Sequence, residues 1–193
     1  METAAPKFIE VYTESNPNPG SLKFVANVDL LPPGDSLDFP NPASALNSPL
    51  VTDLFKFNFV HRVFIASNFI TITKSPDVEW FDVKHMLKDY IKAYLEEERP
   101  IFRDFKPSAT DENDSELVLK IKSLLDEYVR PAVEMDGGAI SFHSYKEDTG
   151  TVTVNLQGSC SGCPSSTITL KNGIENLLKR MVPEVKEVIA EGV

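Results

Sequence analysis

Two cysteines, Cys160 and Cys163, are the residues of this 193-residue chain best suited to chemistry. They are the only cysteines in the sequence, with Gly158 before them, Gly162 between them and Pro164 directly after. This C-x-x-C spacing lets two thiolates bind one metal ion or cluster, or form a disulfide with each other. Glycine permits a tightly folded backbone, and proline suits the first position of a helix. We therefore expect the thiols at a helix N-terminus, where partial positive charge favours thiolate.

The number of possible ligands decides what one chain can hold. A zinc or iron–sulfur site usually needs about four protein ligands, and the chain offers two thiols and three histidines. His61, His85 and His143 each lack a second ligand at short spacing, so we interpret them as structural or surface residues. One chain then cannot complete the site, whereas two chains that each contribute Cys160 and Cys163 can. This count predicts a symmetric dimer with the metal on its axis.

Dithiol redox chemistry is the main alternative use of the same cysteine pair. A thioredoxin-type site also lies after a strand and before a helix, but in a parallel βαβ unit and usually with proline between the cysteines. Here an antiparallel hairpin is predicted before the loop, and Pro164 follows the second cysteine. These differences make a redox protein the second hypothesis. A dimeric zinc-binding adaptor is the third.

Composition restricts the partners. The chain is 41% hydrophobic and 25% charged, as in ordinary globular proteins, and its formal net charge is -10. This acidity disfavours nucleic acid and anionic membrane surfaces, so the expected partners are proteins. No apolar run approaches the roughly 20 residues of a membrane span, and residues 1–6 lack a signal or transit pattern. Two closely spaced cysteines fit a reducing compartment, so we expect a cytoplasmic protein, with a processed mitochondrial form as the alternative.

Residues 1–98 are predicted to form the first of two small α/β-sandwich-like domains, in the α+β class. Its predicted strands are at 8–12, 22–28, 60–66 and 69–73, with a short extended segment at 36–39, and its predicted helices are at 48–55 and 80–98. Ser48 is the expected N-cap of the first helix, with Pro49 at its first position. The apolar face of the second helix comprises Val83, Leu87, Ile91, Tyr94 and Leu95.

A linker and a second domain are predicted after the first. Residues 99–115 contain two prolines and a polar run without a sustained apolar period, which indicates a linker. Residues 116–193 form the second domain. Its first helix is expected to use Asn113 in a variant capping box and to stop by Arg130, because Pro131 follows. The predicted apolar stripe of this helix comprises Leu117, Ile121, Leu124, Leu125 and Tyr128.

The rest of the second domain surrounds the cysteines. Strands are predicted at 139–145 and 151–156, a helix at 164–181 and a last strand at 185–190, and the segment 136–138 is interpreted as a simple turn. The sequence contains no nucleophile elbow, phosphate loop or zinc-protease motif. We therefore predict no catalytic residue and a function other than that of an enzyme.

The chain resembles a known family over most of its length. Residues 116–190 resemble the C-terminal domain of NifU-type proteins, also called Nfu, and residues 8–95 resemble the N-terminal Nfu domain. The C-terminal likeness rests on Tyr128–Val133, Asp136–Gly138, Leu156–Ser166, Thr169–Glu175 and Val182–Val185. The N-terminal likeness rests on Asn16–Phe24, Ser48–Leu50 and Phe69–Lys74.

This resemblance implies a specific cargo. In the family, the C-x-x-C motifs of two chains hold one [4Fe–4S] cluster of iron and inorganic sulfide, which is passed to apo-proteins. Carried over to this sequence, it implies that Cys160 and Cys163 bind the cluster. The implied partners are apo iron–sulfur client proteins, the cluster assembly machinery and a second copy of this chain. The resemblance implies no chemistry for the N-terminal domain.

Overall fold

The structure is a computed structural model that describes residues 8–32, 34–105, 114–159 and 164–192, and for residues 164–167 it describes the backbone alone. Within these ranges the chain forms two compact units, each with its own sheet, helices and hydrophobic core. The predicted α+β class is therefore confirmed. Cys160, Cys163 and Asn113 lie outside the described residues. No helix among the described residues is both long enough and apolar enough to cross a membrane.

An antiparallel sheet forms the base of the first unit. In the described part of this unit its strands are β1 (Val11–Glu14), β2 (Ser21–Ala26), β3 (Ser36–Phe39), β4 (Val60–Ala66) and β5 (Phe69–Lys74). They lie in the order β1-β2-β5-β4-β3, and every neighbouring pair is antiparallel. Each predicted strand is present, and so is the predicted hairpin between β4 and β5. The first strand begins later than predicted, at Val11, and the second ends at Ala26.

Helices α1 (Pro49–Leu54) and α2 (Trp80–Glu96) pack on this sheet. The side chain of Ser48 accepts a hydrogen bond from the backbone N–H of Val51 at 3.3 Å, and Pro49 begins the helix. The predicted cap is therefore confirmed. The apolar face predicted for α2 is also confirmed, since all five of its residues are buried.

Residues 99–105, predicted as the first part of the linker, pack against the first unit. Ile101, Phe102 and Phe105 contact its hydrophobic core. The hydroxyl of Ser48 donates a hydrogen bond to the carbonyl of Ile101 at 2.7 Å. Burial of three large apolar side chains holds this segment, although they recur at no regular period in the sequence. We therefore propose that the first domain extends to residue 105 and that the second begins at residue 114.

The described strands of the second unit are β6 (Gly138–Lys146), β7 (Thr151–Gly158) and β8 (Glu187–Gly192), in that order across the sheet. The predicted hairpin is confirmed, because β6 and β7 are antiparallel. The pairing of β7 with β8 is parallel, which the sequence analysis did not anticipate. A parallel pair requires a crossover connection, and helix α5 (Pro164–Met181) lies between these two strands in the chain.

The predicted end of the first helix at Pro131 is wrong. Helix α3 (Glu116–Leu124) continues through a π-helical turn (Leu125–Val129) into helix α4 (Arg130–Met135). Pro131 lies in the first turn of α4, directly after the π turn, a position at which proline is tolerated. A π turn takes more residues than an α turn and so rotates the positions that follow. Val129 is consequently buried, while Tyr128, predicted in the apolar stripe, is 53% exposed.

The N-cap of α3 also differs from the prediction. The hydroxyl of Ser115 accepts a hydrogen bond from the backbone N–H of Val118 at 3.3 Å. Serine is among the best N-cap residues, and here it lies directly before the first helical residue. Ser115 therefore caps the helix, in place of the residue at 113 suggested by the capping-box spacing.

A pair of glycine substitutions should shift the stability of the second unit in opposite directions. Gly150 has a φ of +67°, and a Cβ there would lie 2.5 Å from the carbonyl oxygen of Glu184. Gly150→Ala should destabilise the unit by about 2 kcal/mol or more, because the left-handed conformation is strained and the clash adds to it. Gly173 lies in α5, where an added Cβ would meet nothing within 4 Å. Gly173→Ala should stabilise the unit by about 0.5–1 kcal/mol through helix propensity.

Native-state amide exchange of β6 and β7, followed by NMR in the full chain, reports these free energies of opening. A Gly150→Ala protein with exchange as slow as that of the parent would contradict the proposed strain.

Candidate functional site

The loop of residues 159–163, here called the cysteine loop, joins β7 to α5. As the sequence predicted, a strand precedes the loop, β7 ending at Gly158, and a helix follows it, α5 beginning at Pro164. The loop therefore follows the carboxyl end of a strand that pairs in parallel with β8. Open sheets with parallel strands bind ligands at such ends, and a helix N-terminus favours anions and thiolates. The connectivity alone therefore makes this end of the unit the candidate site.

The start of the loop is held by the turn that precedes β6. Gly138 pairs with Gly158 across the hairpin. The backbone N–H of Ser159 donates to the carbonyl of Gly137 at 3.3 Å, and its hydroxyl donates to the carbonyl of Asp136. Gly137 and Gly158 have φ values of 76° and 70°, which residues with a side chain rarely adopt. The turn thus positions the residue directly before the first cysteine.

This role of the turn was missed by the sequence analysis, which treated residues 136–138 as a connection only. The pairing register of the predicted hairpin could have indicated this role. Counting outward from the connection between the two predicted strands pairs Gly138 with Gly158, within the one-residue shift that a bulge near Phe142 introduces. The antiparallel register therefore contained information that residue types alone did not.

The three histidines lie on three different elements. His61 on β4, His85 on α2 and His143 on β6 are all exposed, as expected of surface residues. Across residues 8–32, 34–105, 114–159 and 164–192, no three His, Cys, Asp or Glu side chains come together as a metal site. The described residues therefore supply no completed ligand set. The assignment of Cys160 and Cys163 as ligands falls outside the described residues and stays a prediction.

Glu175 connects α5, the helix that follows the cysteine loop, to β8. Its carboxylate accepts a hydrogen bond from the backbone N–H of Val188 at 3.1 Å and from the ammonium group of Lys179 at 2.5 Å. The hydrogen bond from Lys179 is the main cause of the lowered pKa of Glu175, followed by the one from Val188, while burial acts against them. This contact fixes the helix against the strand that completes the sheet.

A polar cluster in the first unit has the most perturbed pKa values among the described residues. Tyr90 and Arg99 donate to the same carboxylate oxygen of Asp53, at 2.8 and 2.9 Å. The pKa of Asp53 is lowered mainly by the hydrogen bond from Lys56, and burial, followed by Asp53, raises the pKa of Tyr90 to about 12. Such clusters mark either active sites or structural networks. Here the cluster ties the segment after α2 to α1, so we interpret it as structural.

The comparisons with known proteins concern both units. The family described as NifU-like domain matches residues 121–189, and the family described as scaffold protein Nfu/NifU N terminal matches residues 11–98. A relative from Drosophila sechellia, named NFU1 iron-sulfur cluster scaffold homolog, mitochondrial, is 42% identical over 191 residues. That match covers 97% of this chain and 67% of the relative. The chain belongs to the NifU-like (Nfu) family. The resemblance noted in the sequence is therefore confirmed.

A plant member of the Nfu family matches this chain with similar identity and coverage. NifU-like protein 4, mitochondrial, from Arabidopsis thaliana is 44% identical over 186 residues, covering 94% of this chain and 67% of its own length. A solution NMR structure of a NifU-like protein from Saccharomyces cerevisiae covers 54% of this chain and 93% of its own, with 21% identity and a TM-score of 0.47. That structural likeness is too slight to carry an argument, and membership of the Nfu family rests on the sequence matches.

The contact of Glu175 predicts a pH dependence of stability. Its pKa is lower in the folded chain than the ordinary value of 4.5, so its contribution is complete above that pH and is lost as the pH falls through the folded pKa. Lys179→Ala removes the main cause and should bring the pKa back toward 4.5. Lys171→Ala is the matched control, because Lys171 acts only through weaker, longer-range attraction.

An NMR titration of the Glu175 carboxyl carbon measures these pKa values directly. A pKa at or above 4.5 in the parent, or equal shifts in the two lysine variants, would rule out this account.

Proposed function

We propose that this chain is an iron–sulfur cluster scaffold and carrier, which binds a [4Fe–4S] cluster between two copies and delivers it to apo-proteins. The observation that carries the proposal is the position of its C-x-x-C motif, between β7 and α5, in a chain of the Nfu family. One relative is itself named as an iron–sulfur cluster scaffold. Cys160 and Cys163 are the proposed ligands, and the cluster is the cargo.

The available donors support a shared site. Cysteine thiolates are the usual protein ligands of iron–sulfur clusters, and four of them hold a [4Fe–4S] cluster. Each chain has two cysteines, so two chains supply the full set. A homodimer with the cluster between the two cysteine loops follows from this count.

A shared cluster suits transfer. A carrier must retain its cargo in transit and release it to a client. An incoming thiolate can replace one ligand at a time, and separation of the two copies removes both thiolates of one chain. A cage of four cysteines in one chain would oppose both steps. The proposed partners are therefore apo iron–sulfur proteins and the assembly machinery that loads the cluster, and the proposed function requires no catalytic turnover of a small substrate.

A dithiol redox protein is the second candidate, and one observation favours it. The cysteine loop lies in a parallel β7–α5–β8 arrangement, which is closer to a thioredoxin-type site than the hairpin alone suggested. The order and direction of the strands therefore distinguish a cluster carrier from a redox protein less clearly than the predicted hairpin alone suggested. The position of Pro164, after the second cysteine and outside the pair, still favours the carrier.

The location in the cell is part of the same proposal. The names of the relatives from Drosophila sechellia and Arabidopsis thaliana place those proteins in mitochondria. The cytoplasmic location expected from the sequence stays a prediction. The mitochondrial alternative, also expected from the sequence, is the one that these names favour.

Anaerobic reconstitution of the full chain tests the shared site. We expect about four iron and four sulfide per two chains, a dimer when loaded and chiefly a monomer when empty. Cys160→Ser and Cys163→Ser should each abolish the visible absorption of the cluster and its transfer to an apo-ferredoxin, because serine oxygen is a poorer ligand for iron than thiolate sulfur.

The same two variants separate the carrier from the redox protein. In a dithiol enzyme the cysteines have different roles, so Cys163→Ser would trap a mixed disulfide while Cys160→Ser would lose reactivity. In the carrier both variants fail alike and neither accumulates such a species. A monomer with a full cluster, or a Cys163→Ser protein that keeps its cluster and traps thiol partners, would refute the proposal.

The proposed domain boundary has its own test. The second unit has a separate hydrophobic core, and residues 114–193 include both cysteines. We expect the fragment 114–193 to fold alone and to bind as much iron per chain as the full protein, whereas the control fragment 8–105 should bind none. Circular dichroism and iron analysis measure the two properties. A folded fragment 114–193 that fails to bind iron would mean that the first unit supplies part of the site.

A further inference from the structure

Ser159 is a buried polar residue at the edge of the cysteine loop. Only 3% of its surface is exposed, and it directly precedes Cys160 in the chain. Its hydroxyl donates to the carbonyl of Asp136, and its backbone N–H donates to the carbonyl of Gly137 at 3.3 Å. A buried hydroxyl is stable only with a hydrogen-bond partner, and this one reaches the turn before β6. The side chain and the backbone of one residue thus attach the loop to the same turn.

The turn that receives these hydrogen bonds is itself anchored. The N–H of Asp136 donates to the carbonyl of Ala132 at 3.2 Å, and the N–H of Gly137 donates to that of Glu134 at 3.0 Å. These bonds continue the last turn of α4, whose Val133 is in the core of the second unit. Ser159 therefore connects the loop to a part of the unit that packing holds in place.

The attachment is needed because the backbone around it is glycine-rich. Gly137 and Gly158 flank the contact, and glycine has more conformational freedom than any other residue. The backbone bond of Ser159, at 3.3 Å, is longer than the usual 2.9–3.0 Å and so weak by itself. The hydroxyl supplies a second attachment at this end of the loop.

We propose that Ser159 is a positioning residue, whose hydroxyl fixes the Cys160 end of the cysteine loop and thereby sets how long the cluster is retained. This inference rests on the proposed function, in which Cys160 binds the cluster. With Ser159 attached to the turn, the backbone that leads to Cys160 loses less conformational entropy when the cluster binds. Without this attachment more entropy is lost on binding, so the cluster dissociates sooner.

The test uses Ser159→Ala, which removes the hydroxyl, and Ser159→Thr, which keeps it. The reconstituted full-length dimer is mixed with an iron chelator, and loss of the visible absorption of the cluster gives its release rate. We expect Ser159→Ala to release the cluster about fivefold faster, the factor that one ordinary hydrogen bond supplies, and Ser159→Thr to stay within about twofold of the parent. The matched control is Ser115→Ala, which removes one serine hydrogen bond in the same unit, at the N-cap of α3.

A second measurement needs no cluster. Amide exchange in the empty protein, followed by NMR, should be about fivefold faster at residue 159 in Ser159→Ala and unchanged there in Ser115→Ala. Parental release and exchange rates in a folded Ser159→Ala protein would overturn the proposal. So would equal acceleration by Ser115→Ala, or a folded Ser159→Thr protein that releases as fast as Ser159→Ala.

Failure of the proposed function gives a different pattern. A Cys160→Ser protein that retains a full cluster would remove the assumed ligand and refute the function, whatever Ser159 does. Loss of the cluster in Cys160→Ser together with parental behaviour of Ser159→Ala would refute only the positioning role. The exchange measurement in the empty protein reports the attachment of the loop in both cases.

Discussion

The pairing register of β6 with β7 is the constraint on which the second unit depends. It sets Gly138 opposite Gly158 and so brings the turn before β6 against the residue that precedes the cysteines. The same register points Val152, Val154 and Leu156 into the hydrophobic core. A slip of one residue would turn these side chains to the other face of the sheet. Core packing therefore enforces the geometry at the start of the cysteine loop.

The two ends of that loop are held by different means. The strand end is attached to the turn before β6 through the backbone and side chain of Ser159. The helix end belongs to α5, which the parallel pairing of β7 and β8 requires as a crossover and which Glu175 fastens to β8. The described residues on both sides of residues 160–163 are therefore attached to the folded second unit.

Structural features that depend on residues close together in the chain were predicted well from the sequence. The Ser48 cap and the buried face of α2 are set by residues within a turn or two, and both were predicted correctly. Two features were not predicted. A π turn lets the helix continue through Pro131, which was expected to end it. The segment 99–105 packs on a core whose other residues lie mostly far from it in sequence, and residue types do not show such contacts. The ligand role of the cysteines stays a prediction from their spacing, whereas the support for their loop depends on hairpin register, which residue types do not show.

The parallel pairing of β7 with β8 also has a consequence for the order of folding. A hairpin such as β6–β7 forms within microseconds, because its strands are adjacent in sequence. The β7–β8 pair must wait until all of α5 and residues 187–192 have left the ribosome, and long-range pairing is slower in any case. During synthesis the cysteine loop therefore gains its strand-side anchor first and its helix-side anchor last. Until β8 pairs with β7, the nascent chain has both thiols, but only the strand side of the cysteine loop is anchored.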